Sequence, residues 1–189
     1  MSQIYQSRCN FSLISNYVLY LVFITTTIFY VYFAVRPQDP CYANSLSNFK
    51  VSKGIGVDVQ SRFQVVFVIG SICGILEIMR NTINLWAKCF NYQRLAVLFQ
   101  VLGFITAFLF LLNFILMQLY RFTHYGKVCS GDYLEGSEEE NSNYSMASAN
   151  QDYLIMQGYF IKIMIIIHYS MFALITLTIL FVAATLKYK

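Results

Sequence analysis

Residues 95–120 form a stretch of 26 positions with no Asp, Glu, Lys or Arg. An α-helix rises about 1.5 Å per residue, so about 20 apolar residues cross the ~30 Å hydrocarbon core of a bilayer. Such a segment must satisfy its own backbone N–H and C=O groups where no water reaches them, and a helix does so internally. The run is continuous rather than alternating, which argues against a lipid-facing β-strand.

Three more runs share this character. Residues 13–35 carry no charge, and residues 159–186 carry only Lys162 and the imidazole of His168. The run from 63 to 86 contains Glu77 and Arg80, and ends near Met79 if those two mark the membrane boundary. Composition agrees: 12% of residues are charged, against about 25% in a soluble domain. The expected fold is therefore all-α, a polytopic membrane protein with a four-transmembrane-helix bundle. Its parts are a tail at 1–15, spans at 13–35, 63–86, 95–120 and 159–186, outer loops at 36–62 and 121–158, a polar link at 80–94 and a tail at 187–189. The N-terminal tail has one basic residue, Arg8, and the first run is too long for a signal-peptide core, so it reads as an uncleaved signal anchor.

Basic residues assign the sides. The tails and the link hold Arg8, Arg80, Lys88, Arg94, Lys187 and Lys189, six in all, and the two longer loops also hold six. The first set occupies about half the length, so its density is roughly double, which puts both termini in the cytoplasm. Cysteines fit that orientation. Cys41 and Cys129 fall one in each outer loop, in an oxidising compartment where a disulfide persists. Cys9 and Cys89 face the reducing side. Asn143, in the sequence Asn-Tyr-Ser, is a glycosylation acceptor in the second outer loop, whereas Asn10 lies on the cytoplasmic side. The plasma membrane or an endomembrane is preferred to the mitochondrial inner membrane.

Ionisable groups inside spans are functional candidates. Lys162 lies ~5 Å below the outer end of its span and can snorkel to the interface. His168 lies ~14 Å deep and Glu77 ~21 Å deep. Gln100 stands at a similar level to Glu77, so a hydrogen bond between them is geometrically possible, and Arg80 can pair with Glu77 one turn away on the same helix. His168 reads as a neutral imidazole bonded to Ser71, a threonine or a carbonyl of a neighbour. Gly70 and Gly74 form a GxxxG element for close helix packing, within the chain or with a second subunit. Gly103 and Ala107 repeat the small-residue spacing. Tyr17, Tyr20, Tyr30, Tyr32, Tyr120 and Tyr159 fall near run ends, as an interfacial belt would.

Enzyme signatures are missing. There is no GxSxG, HExxH, CxxC or phosphate-cradling glycine loop, and Gly54-Ile55-Gly56 is too short to be one. His124 and Cys129 share a loop and could form a nucleophile pair, but a bridged Cys129 is the simpler reading. With two histidines a His-based metal site is not expected, and thinly spread basic residues make nucleic acid an improbable partner. No catalysis, cofactor or metal is expected. The partners expected are the lipid bilayer and other membrane proteins or further copies of the chain.

Short inner tails and link with two cysteine-bearing outer loops look like the broad class of four-span proteins that includes MARVEL-type, claudin-type and tetraspanin-type members. The resemblance is one of topology along the whole chain. The claudin-type Trp with two cysteines in the first outer loop is missing, since Trp86 is the only Trp. The tetraspanin-type Cys-Cys-Gly and the several cysteines per loop of gap-junction proteins are missing too. MARVEL-like topology is what remains, and it carries over no functional residue. With nearly all of its surface facing lipid or other helices, the chain is expected to be a non-catalytic membrane organiser or an accessory subunit of a membrane complex. A channel or transporter subunit with a polar path through Glu77 and His168 is the alternative.

Overall fold

A computed structural model of the chain describes residues 20–36, 40–90, 93–133 and 153–187, with the side chains of all but 84–90, 93–96 and 186–187. Helix dominates. α1 spans Tyr20–Val35, α2 Val59–Phe90, α3 Gln93–Phe122, α4 His124–Cys129 and α5 Ile155–Lys187. Three segments are long and apolar enough to cross a membrane: Val59–Ile83 in α2, Val97–Phe122 in α3 and Ile155–Thr185 in α5. α1 is the described part of the first apolar run and is shorter than a full span; residues 13–19 of that run lie outside the described residues.

The helices outrun the apolar runs that seed them. α2 begins inside the segment expected to be the first outer loop and continues to Phe90, and α3 begins at Gln93. The expected polar link at 80–94 is thus almost entirely helical. The reason is that hydropathy marks where hydrocarbon ends, not where a helix ends. Arg and Lys are good helix formers and stop nothing. α5 likewise starts at Ile155, ahead of the expected 159. The loops are more structured than expected: the second contains α4, and the first a two-stranded antiparallel ribbon. Its strands, β1 (Tyr42–Ala43) and β2 (Val57–Asp58), pair Tyr42 with Asp58 and Ala43 with Val57.

The chain divides into two compact units, Met1–Pro37 with Gln64–Asn113 and Gln38–Phe63 with Phe114–Lys189. In the first, α1 packs on α2. A β-carbon at Gly70 would fall on the Tyr30 ring, and one at Gly74 on the Thr27 side chain. The GxxxG element therefore serves a contact within the chain. Phe33 and Tyr30 flank it, with ring centroids 5.3 Å and 6.4 Å from that of Phe67. Thr27 donates its hydroxyl to the Phe23 carbonyl (2.6 Å), so it brings no unmatched polar atom into the seam. Tyr30 is buried there and does not belong to the expected interfacial belt, whereas Tyr32 and Tyr159 are exposed.

In the second unit the buried residues include Cys41, Ala43, Val59, Phe63, Val128, Cys129, Leu154 and Ile161. They join the ribbon, α4 and the starts of α2 and α5. Farther along α5 every residue from 169 to 185 is exposed. In water that face would be an aggregation surface.

Candidate functional site

The most constrained part of the second unit is a cap built on one cross-link. Cys41 and Cys129 are joined by a disulfide, with Cα atoms 6.0 Å apart, and neither is exposed. Their carbonyls do further work. Cys41 O accepts from the N–H of Val59, the first residue of α2 (3.0 Å), and Cys129 O accepts from the N–H of Leu154, just before α5 (2.7 Å). N–H groups at a helix start have no partner within the helix. Here the two bridged residues supply carbonyls at the start of α2 and beside that of α5.

The segment that carries Cys129 is fixed from both ends. Thr123 caps α4, its hydroxyl accepting from the Gly126 N–H (3.4 Å). Gly126 lies against the Tyr120 and Arg121 carbonyls, so a β-carbon there has no room. After Cys129 the helix is closed by a double hydrogen bond, Gly131 N–H to Val128 O (3.1 Å) and Asp132 N–H to Lys127 O (3.0 Å). This closure requires a left-handed residue, and Gly131 supplies it with φ of +77°. The turn delivers Asp132 to Arg121. Arg121 Nη1 and Nη2 donate to the two carboxylate oxygens of Asp132 (2.8 and 2.7 Å), and Nε donates to the Gly158 carbonyl (2.9 Å). Planar two-point pairing of this kind is the strongest form of ionic hydrogen bond. The buried guanidinium thus ties the end of α3, the turn after α4 and the first turn of α5 together.

His124 staples the two loops. Its Nε2 lies 3.0 Å from the Ser47 carbonyl and its Nδ1 3.3 Å from the Tyr133 hydroxyl. A carbonyl only accepts, so Nε2 is the donor and Nδ1 is free to accept from Tyr133. Lys50 lies over the Tyr153 ring at 5.5 Å. Arg62 faces the rings of Tyr120 and Tyr125. A Cys–His nucleophile is ruled out in this state, because the sulfur of Cys129 is already bonded to Cys41.

The polar residues of the membrane-length helices have local partners. Glu77 pairs with Arg80 and accepts from Asn81 Nδ2 (3.3 Å), both on its own helix. Gln100 is exposed, and the hydrogen bond expected between Glu77 and Gln100 is not among those formed. Arg80 lies over the Phe99 ring (5.2 Å) and beside Gly103. Gly103 therefore makes room for an arginine side chain, and Ala107 is exposed, so the two do not act as one close-packing stripe. His168 is buried, its Nδ1 at the Met164 carbonyl of its own helix and its ring stacked on Phe114 at 5.3 Å. Ser71 donates to the Phe67 carbonyl (2.7 Å). Lys162 is exposed. Cys73 is a buried free thiol. Among the described residues no three His, Cys, Asp or Glu side chains gather to hold a metal. Asn143 lies outside the described residues.

Sequence reasoning gave Arg121, Asp132 and Gly131 no individual role. The signal was present: Thr123 and Gly131 are the start and stop marks of a short helix, and residues 121–134 stand out for their mix of Gly, aromatic and charged residues. Comparisons with models of protein families, with curated proteins and with solved structures find no match to this chain.

Proposed function

We propose that this chain is a four-span integral membrane protein that acts without catalysis, as an organiser of its membrane or an accessory subunit of a membrane complex. Both termini face the cytoplasm, and the cap faces the exterior or a lumen. The apolar run at 13–35, of which α1 is the described part, supplies the fourth crossing. The observation that carries this reading is how little of the apolar helices the chain itself covers. Buried residues make up 33%, 17% and 11% of the spanning windows in α2, α3 and α5. The remaining surface suits lipid and the helices of other subunits, which associate through packing and interhelical hydrogen bonds. The cross-linked cap suits rigid recognition, since little ordering entropy is lost when it meets a partner.

A polar path through Glu77 and His168 draws less support, because Glu77 is engaged by Arg80 and Asn81 and His168 by Phe114 and the Met164 carbonyl. The test is isolation in a mild detergent with identification of co-purifying chains, alongside a Glu77→Gln variant. The expected outcome is stoichiometric co-purification, with Glu77→Gln leaving ion flux unchanged in vesicles. A loss of flux with assembly intact would overturn the proposal in favour of conduction.

A further inference from the structure

Arg62 sits one turn into α2, with its guanidinium carbon 5.7 Å from the Tyr120 ring centroid and 6.0 Å from that of Tyr125. Among the described residues it has neither a carboxylate nor a hydrogen-bond acceptor, in contrast to Arg121, which has both. A guanidinium held against aromatic faces keeps five N–H donors in its own plane, away from the rings. The aromatic pair is positioned by the fold. Gly126 lets α4 fold back onto the Tyr120 carbonyl, which brings Tyr125 to the same cation as Tyr120.

Depth identifies the anion. The span Val59–Ile83 is centred on residue 71, nine residues from Arg62, which is ~14 Å along the helix. Tyr120 lies ~16 Å from the centre of Val97–Phe122 by the same rise. The half-thickness of the hydrocarbon core is ~15 Å. Two helices thus independently set the cluster at the edge of the hydrocarbon core, within an arginine side chain's reach of the lipid phosphates. A carboxylate is the common partner of a guanidinium in water, but at this level phosphate oxygens are the prevailing acceptors, and Arg meets them with the same two-point fork.

We propose that Arg62, flanked by Tyr120 and Tyr125, binds the phosphate group of a lipid headgroup. The guanidinium takes two phosphate oxygens, and the phenol rings hold it at the boundary. This rests on the reading that α2 and α3 cross a bilayer. The test uses full-length protein stripped of lipid in a non-ionic detergent. It is titrated with a phosphatidylglycerol and, separately, with inorganic phosphate, with binding read by native mass spectrometry.

Saturable binding of the phospholipid is expected. Arg62→Gln should weaken it at least about tenfold, and Arg62→Lys should fall between, having lost the fork but kept the charge. Lys53→Gln, at an exposed cation in the segment ahead of α2, should leave it unchanged. If Arg62→Gln misfolds by circular dichroism, Arg62→Lys and Tyr125→Leu, which removes the ring, carry the test, and wild-type affinity in both overturns the site. Equal affinity in Arg62→Gln and wild type overturns it as well. Displacement of the lipid by inorganic phosphate at equal concentration overturns the headgroup assignment. Extraction of the protein from membranes by alkaline carbonate overturns the spanning reading separately. Resistance to extraction without phospholipid binding overturns only the site.

Discussion

Arg121 shows at the scale of one residue what holds the cap together. Its side chain is 3% exposed and its partner Asp132 33%. A charge so buried is tolerable only because each of the three guanidinium nitrogens donates to an acceptor. Removing the arginine leaves the Gly158 carbonyl without its donor and Asp132 without its counter-ion. Arg121→Met should therefore lower stability by about 3 kcal/mol. Arg121→Lys should recover only part of this, because an ammonium is a point charge and cannot reach Asp132 and Gly158 O together. Asp132→Asn should cost about as much as Arg121→Met, because it takes the counter-charge from a guanidinium that is only 3% exposed. Thermal melting of the detergent-solubilised protein ranks them, and a lysine variant as stable as wild type would show that charge alone matters here.

At the scale of elements, the glycines divide by what lies opposite them. Gly70 and Gly74 face Tyr30 and Thr27 across the α1–α2 seam, and Gly103 faces the end of the Arg80 side chain, with its nearest atom 3.1 Å from a β-carbon placed there. Gly70→Ala and Gly74→Ala should each destabilise by about 1–3 kcal/mol through overpacking. Gly103→Ala should be neutral or stabilising by up to about 1 kcal/mol, because alanine is the better helix former and Arg80 can swing aside. Chemical denaturation of the three variants in detergent measures the contrast, and equal losses at Gly74 and Gly103 would contradict it. The same positions show how much of the fold was legible beforehand. Helix type and the apolar segments were readable, because hydrocarbon imposes one backbone solution on a long apolar run. The choice of partner was not, since Gly70 and Gly103 share one spacing signature and differ only in which side chain lies opposite. Helix ends were misread at Val59 and across 80–94 because polarity was taken as a stop signal. For Glu77 two partners were legible, Arg80 on its own helix and Gln100 on another; the structure forms the Arg80 pair and adds Asn81.

For the whole molecule the decisive feature is the cross-link between positions 88 apart, which encloses α2 and α3 in one covalent loop. In water such a closure is worth up to about 4–5 kcal/mol through the entropy of the unfolded chain. A chain whose helices stay in the bilayer when it unfolds has less entropy to lose, so Cys41→Ser with Cys129→Ser should cost less than that. The larger consequence is sidedness. Both cysteines are fully buried in the cap, but the bond must first form, and that requires an oxidising compartment around both loops. On the proposed topology the cap side and the C-terminal side of α5 lie across the membrane from each other. Leu46, which is 94% exposed in the first loop, is the natural reporter. With Cys9, Cys73 and Cys89 replaced by Ser or Ala, Leu46→Cys should react with a membrane-impermeant maleimide in intact cells or in sealed vesicles of known orientation. Lys189→Cys in the same background should react only after permeabilisation. Labelling of both in sealed membranes would mean an even number of crossings between them, and would remove the four-span topology while leaving the disulfide in place. The reverse pattern, Lys189→Cys labelled and Leu46→Cys protected, would put the cross-linked loops in the cytosol, where glutathione keeps thiols reduced, and would remove the bond that the cap is built on.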